Sequence, residues 1–211
     1  MTTKRNGRNN KPLMALLIMD VFNDLEFEEG KQLLRQALPM ARKIAALKER
    51  AASAEIPIIY VNDNFGHWRS DVKKQISHCL SDGVRGEPIA RLLVPDDSDY
   101  FVLKPKSSGF FGTTLHTLLQ HLGTTTLVLT GIAADVCILF TAHDAHLRDY
   151  EIIVPSDCVA SNTLRETRMA LDNMKKAAHA VICKSSAIDF KRPMSGSRAE
   201  RRKAQNLTRA A

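Results

Sequence analysis

Three residues of this chain have the types that nucleophilic chemistry needs. They are the thiol of Cys137, the carboxylate of Asp20 and the ammonium of Lys104, and each stands at or just past the end of a segment that reads as a β-strand. A cysteine acts as a nucleophile when a base takes its proton and nearby positive charge favours the thiolate. Asp20 can take that proton, pass it to a leaving amine and later activate water. Lys104 adds positive charge beside the sulfur. Cys137 falls just inside a predicted helix start, behind the turn Gly131-Ile132-Ala133-Ala134-Asp135-Val136. Free backbone N–H groups and the positive end of the helix dipole are expected there. Both are expected to lower the thiol pKa, and the same N–H groups could hold a developing oxyanion. Taken singly, each residue has an ordinary structural reading as a packing, turn or strand-edge residue. The coincidence of three complementary groups at strand ends is what points to a site.

The elements that would position them alternate in type. Leu13 to Met19 is a continuous apolar run ending at Asp20, the pattern of a strand buried on both faces. Pro39 to Ala54 reads as a helix with Pro39 at its first position and Ile44, Leu47 and Ala51 on its inner face. Further strands are expected at 58–61, 100–103, 125–130, 151–154 and 180–183. Further helices are expected at 113–122, 135–149 and 163–178. Residues 62–99 are polar and irregular, with helical stretches possible inside them, and a loop of that length usually serves function. Strands alternating with helices imply an α/β fold, a doubly wound parallel sheet with helices on both faces. In such sheets the working residues sit at the carboxyl ends of the strands.

Length and charge narrow the class. The 211 residues suit one domain, and an apolar content of 44% is enough to bury its core. No apolar run is long enough to span a membrane, and no apolar segment follows the basic N-terminus as a signal peptide would require. The net charge of +7 is concentrated at the ends. Lys4, Arg5, Arg8 and Lys11 lie at one end, and seven basic residues against Glu200 lie at the other, which leaves the middle slightly acidic. Residues 1–12 and 191–211 are therefore expected to be disordered basic tails flanking a domain at 13–190. No nucleic-acid partner is expected beyond weak electrostatic attraction of the tails. Cys79, Cys137, Cys158 and Cys183 form no C-x-x-C pair, which suits free thiols in a reducing cytoplasm.

ALLIMDVFNDL, FVLKPKSSGFFGTTL and LVLTGIAADVCILFTAHDAHLRDYEIIVPSDCVAS follow one another in the order seen in the isochorismatase-like cysteine hydrolases. The chain resembles that superfamily over about residues 14–190, with acid, lysine and cysteine all present. The resemblance implies an α/β/α sandwich around a six-stranded, mostly parallel sheet, and a triad of Asp20, Lys104 and Cys137. It implies attack of Cys137 on a carbonyl carbon, loss of ammonia or an amine, and hydrolysis of a thioester. The substrate would be a small amide or carbamoyl compound. It also implies a homo-oligomer and a non-proline cis bond between Ile132 and Ala133, with the N–H groups of Ala133 and Cys137 as oxyanion donors. Ala134 stands where many relatives carry Thr, so one side-chain brace of that turn is missing.

Other departures bear on substrate and cofactor. Isochorismatases proper cleave a vinyl ether and typically lack the cysteine, so that chemistry and a non-catalytic binding role are the alternatives. Nicotinamidases hold a metal through an Asp-x-His pair and a further histidine. Here Asp63 is followed by Phe65, so the pair is broken, and His67 and His78 are read as loop histidines. No metal or other cofactor is expected. Phe65, Trp68, Phe110 and Phe111 could wall a substrate pocket or pack a loop. Arg69 could meet a substrate carboxylate but reads first as an exposed arginine. His143 and His146 fall at spacings that do not bring them to Cys137.

Overall fold

All six residues of Met14–Met19 are buried, so this strand, β1, has no solvent face and takes the middle of a sheet. The computed structural model describes residues 13–66 and 71–191. The chain continues through α1 (Gly30–Ser53), β2 (Ile58–Asp63), α2 (Val72–Ser81), α3 (Glu87–Leu92), β3 (Tyr100–Lys104), α4 (Leu115–His121) and β4 (Thr126–Ile132). A π-helical turn, Ala134–Ile138, runs into α5 (Leu139–Leu147). Then come β5 (Glu151–Pro155), β6 (Val159–Ala160), α6 (Leu164–Ala177) and β7 (Val181–Cys183).

The sheet order is β3-β2-β1-β4-β5-β7, and every paired strand is parallel. The chain builds outward from β1 to β3, then returns to β4 and builds the other way. That reversal leaves a crevice between β1 and β4 at their carboxyl ends, the usual place for a ligand in an open α/β sheet. Side chains alternate along β1. Met14, Leu16 and Ile18 join a core with α1, and Ala15, Leu17 and Met19 join a core with residues of α4, α5 and α6. Among the described residues, no helix is long and apolar enough to cross a membrane.

The structure corrects the expected elements in three places. A seventh strand exists: β6, two residues long, pairs with Gly131 and Ile132 of β4 beyond the end of β5. The first helix starts at Gly30, so Pro39 lies inside it. Its apolar face runs back through Leu33, Ala37, Met40 and Ala41. Pro39 is exposed, so water can serve the carbonyl that its missing N–H leaves free. β2 runs two residues further than expected, through Asp63, and the stretch after it holds α2 and α3, the helical segments allowed for there. The expected tails lie outside the described residues apart from Lys191, and so do Trp68, His67 and Arg69.

Gly131 is where this packing leaves no room. Its φ is +115°, a region that L-residues avoid, and a Cβ there would stand 2.1 Å from the Met19 carbonyl oxygen. Gly131→Ala is expected to lower stability by about 3 kcal/mol, read by urea denaturation, because it combines backbone strain with a clash against backbone. A loss close to zero would show that β1 and β4 can separate at this point without cost.

Candidate active site

Asp20 is the first residue past β1, with a φ of +53°, a left-handed conformation that Asp tolerates better than most residues. Its N–H donates to the Val61 carbonyl at 3.0 Å, so the turn away from the strand is held by β2. Asp63 and Lys104 are the last residues of β2 and β3, and they are register partners. Their side chains therefore leave the same face of the sheet. That face is the one on which Val61 and Val102 pack toward the Cys137 side of the molecule. Cys137 arrives from β4 through the π-helical turn. Such turns are rare and favour functional sites.

These four side chains meet. Lys104 Nζ lies 3.0 Å from Asp20 Oδ2 and 3.0 Å from Asp63 Oδ2, and it donates to Cys137 Sγ at 3.4 Å. The Asp63 N–H donates to Asp20 Oδ1 at 2.6 Å. Lys104 is fully buried and Asp20 nearly so, while the Asp63 side chain is 24% exposed. Asp20 Oδ2, 3.0 Å from the ammonium, accepts no well-aligned hydrogen bond.

The electrostatics differ from the sequence expectation. Burial pushes the Cys137 thiol up to about 12; the Asp20 carboxylate adds to the rise, and Lys104 only partly opposes it. The expected lowering by Lys104 is thus outweighed by desolvation and the Asp20 negative charge. Burial also raises the Asp20 pKa above its ordinary value, against the opposing charge of Lys104. For Lys104 burial disfavours the charge, but Asp20, Cys137 and Asp63 together hold its pKa above the ordinary lysine range. The sulfur therefore rests as a thiol and Lys104 as an ammonium, with Asp20 held against that ammonium.

The nucleophile turn is braced. The Ile132–Ala133 bond is cis. Ser161 Oγ donates to Asp135 Oδ1 at 2.5 Å and accepts from the Asp135 N–H at 3.2 Å. That pair supplies a brace where Ala134 offers none. On the other side of Cys137, the loop leaving β3 is tied to α5: the Gly109 N–H donates to Thr141 Oγ1 at 2.9 Å, and Ser108 Oγ donates to Asp144.

The remaining expectations divide. Phe110 is buried against the rings of Tyr150 and His116, with the Arg148 guanidinium 4.9 Å from its centroid, so its ring packs the loop. Phe111 is exposed. Phe65 lines a cleft of about 300 Å³ with Phe22, Asp24, Gln75 and His78. His143 bonds Asn173, and His146 packs on His179. Asp63 was visible only as half of a broken metal pair, because β2 was expected to stop at Val61. Two more residues of strand make Asp63 a strand-end residue like Asp20 and Lys104. Asn62 was also missed: its buried amide accepts from the Phe22 N–H and donates to the Phe22 carbonyl, fixing the chain beyond Asp20.

A metal ion does not suit these donors. Asp63 Oδ2 faces Lys104, Asp63 Oδ1 accepts the Phe65 N–H at 2.7 Å, and His78 Nδ1 is 2.7 Å from Asp82. Among the described residues, no group of three or more His, Cys, Asp or Glu is disposed to hold one.

Residues 14–186 match the family model described as the Isochorismatase domain. An isochorismatase family protein of Bacillus subtilis is 41% identical over 174 residues, covering 82% of this chain and 95% of that protein. The solved structure of N-carbamoylsarcosine amidase from Thermoplasma acidophilum superposes with a TM-score of 0.63 at 28% identity, covering 83% of this chain and 98% of the other. That of a pyrazinamidase/nicotinamidase from Streptococcus mutans gives 0.64 at 26%, covering 80% and 99%.

Lys104 is the testable centre of this geometry. Lys104→Met leaves Asp20 buried without its counter-charge, and a loss of about 3–5 kcal/mol in urea denaturation is expected. Adding Asp20→Asn to that variant is expected to recover more than half of the loss. A Lys104→Met protein of near wild-type stability would contradict the buried ion pair.

Proposed function

The chain belongs to the isochorismatase family, and from that premise we propose that it is a cysteine hydrolase cleaving a C–N bond of a small amide or carbamoyl compound. The observation that carries the reading is the placement of one buried ammonium against both Asp20 and the Cys137 sulfur. The amidase names of the two solved relatives support the same chemistry, and the presence of Cys137 favours it over vinyl-ether cleavage.

A thiol whose pKa stands near 12 is almost entirely protonated at neutral pH. Attack is therefore coupled to proton transfer. Asp20 takes the proton as Sγ bonds to the carbonyl carbon, and the carbonyl π electrons move to oxygen. Around the turn, the Asp135 N–H is held by Ser161, and those of Val136 and Ile138 by the Ala133 carbonyl. We assign the N–H groups of Ala133 and Cys137 to the oxyanion. Collapse of the adduct breaks the C–N bond, and the proton held by Asp20 goes to the departing nitrogen. Water, deprotonated by Asp20, then attacks the thioester and returns the thiol and a free acid. Lys104 stays charged throughout and offsets the negative charge that builds on sulfur.

The substrate is to be found by an ammonia-release screen over a panel of small amides. With the amide so found, Cys137→Ala is expected to lower kcat by at least about a thousandfold, and Asp20→Asn nearly as far, with the double variant little worse. Mass spectrometry of quenched reactions should show an acyl group on Cys137. Retention of substantial turnover by Cys137→Ala would falsify the mechanism.

The pH profile has a definite sign. Activity requires the Asp20 carboxylate, so it is full above the pKa of that group and is lost as pH falls through it. Because burial raises that pKa, the acid limb of kcat/KM is expected at higher pH than for an ordinary carboxylate. The limb belongs to the coupled cluster and not to Asp20 alone. An acid limb at or below the ordinary range would contradict the assignment of Asp20 as base. Dialysis against a strong chelator is expected to leave the rate unchanged, and a loss restored by added zinc would show the opposite.

A further inference from the structure

Lys104 has two carboxylate partners, and the mechanism above uses only one. We propose that Asp63 is a positioning residue of this site, sharing the Lys104 ammonium with Asp20 so that Asp20 is left free to accept the thiol proton. The inference rests on the cysteine-hydrolase reading and adds a fourth residue to it.

Three observations carry it. Asp63 Oδ2 and Asp20 Oδ2 are each 3.0 Å from the same nitrogen. Asp63 is the register partner of Lys104 on the neighbouring strand, so the pairing is set by the sheet itself. Its backbone N–H donates to Asp20 Oδ1 at 2.6 Å, which fixes the plane of the Asp20 carboxylate and leaves Oδ2 beside Lys104 and open to the thiol proton. Asp63 is in turn held by the Phe65 N–H on Oδ1 and by the Gln75 amide, which donates to its carbonyl at 2.6 Å.

The charge balance gives the role content. Among the described residues, Lys104 from β3 meets Cys137 directly and is itself met by Asp20, just past β1, and Asp63 from β2, while Asp135 on the nucleophile turn is bound to Ser161. One cation thus faces two anions. If Asp63 were neutral, Lys104 would be compensated by Asp20 alone. The pair would tighten, Asp20 would become a weaker base, and the thiol would lose a negative neighbour and become more acidic. A residue that only filled space would move none of these quantities.

Asp63→Asn keeps the shape and the backbone N–H while removing the charge. Two readouts test it. The first is the pH dependence of Cys137 alkylation by iodoacetamide, with Cys137→Ala as the blank. It needs no substrate. The profile is expected to move to lower pH by roughly one unit. The second is turnover of the amide found by the screen. There kcat is expected to fall roughly tenfold or more, with KM changed less than about twofold and the acid limb moved to lower pH. Asp63→Glu, which keeps the charge, is expected to retain the wild-type alkylation profile. Should Asp63→Asn fail to fold, Asp63→Ser is read in the same way. An alkylation profile unchanged in a folded, charge-free variant overturns the proposal. So does a rise in KM with kcat intact, which would make Asp63 a substrate contact. Failure of the cysteine-hydrolase reading is told apart by Cys137→Ala: if that variant still turns over amide, the reading falls, while the alkylation result still decides whether Asp63 sets the state of the thiol.

Discussion

A lysine ammonium with no exposed surface is the constraint on which the rest of this molecule depends. Removing such a charge from water costs several kcal/mol unless opposite charge meets it at contact distance. The two carboxylates that meet Lys104 come from the two strands beside β3 in the sheet order, β2 and then β1. Their carboxyl ends must therefore finish level. Register in a parallel sheet is set by which residues of each strand face which core, and a slip of one residue would turn every side chain to the other face. The alternating apolar residues of β1, β2 and β3 thus do more than fill two cores. They bring Asp63 opposite Lys104 and leave Asp20 one residue past the strand, where a left-handed turn redirects its carboxylate.

The same buried charge changes what kind of nucleophile Cys137 can be. A helix start beside a lysine suggests a standing thiolate. In this site the sulfur is half-buried and shares its surroundings with Asp20, which favours the protonated thiol. In the proposed mechanism basicity is needed only at the moment of attack, and Asp20, its pKa raised by burial, is better matched to that task than an exposed carboxylate. Lys104 then acts as a fixed counter-charge and not as a group that titrates.

Much of this was legible in the sequence, and the limits have physical causes. The α/β alternation and the strand-end positions of Asp20, Lys104 and Cys137 follow from apolar periodicity, which is strong in fully buried strands such as β1. The short strand β6 carries no periodicity to read, because two residues make no pattern. The start of α1 was hidden by Pro39, whose residue type marks a helix start more often than an exposed position within one. Asp63 was hidden by the end of β2: Val61 is the last apolar residue, but the ladder continues for two more because Asn62 and Asp63 find polar partners inside the fold. Pattern reading sees apolar burial, and polar burial becomes visible only with the partners in place. Phe110 shows the converse, since its segment was rightly placed near the lysine while the ring turns away to Tyr150 and His116.

Asp63 also shows how an ion pair and a metal site compete for one carboxylate. A carboxylate ligates a cation with lone pairs that no other donor occupies. Here one oxygen of Asp63 faces an ammonium and the other accepts a backbone N–H. A divalent ion at this position would have to displace Lys104 from one carboxylate and would then face a second positive charge at close range. With Phe65 where a second ligand would stand, nothing on the strand repays that repulsion. The carboxylate is instead available to the lysine, and the electrostatic balance of the site rests on strand ends held in register. That arrangement ties the state of the Cys137 thiol to the pairing of β2 with β3, two strands that contribute no atom to the nucleophile itself.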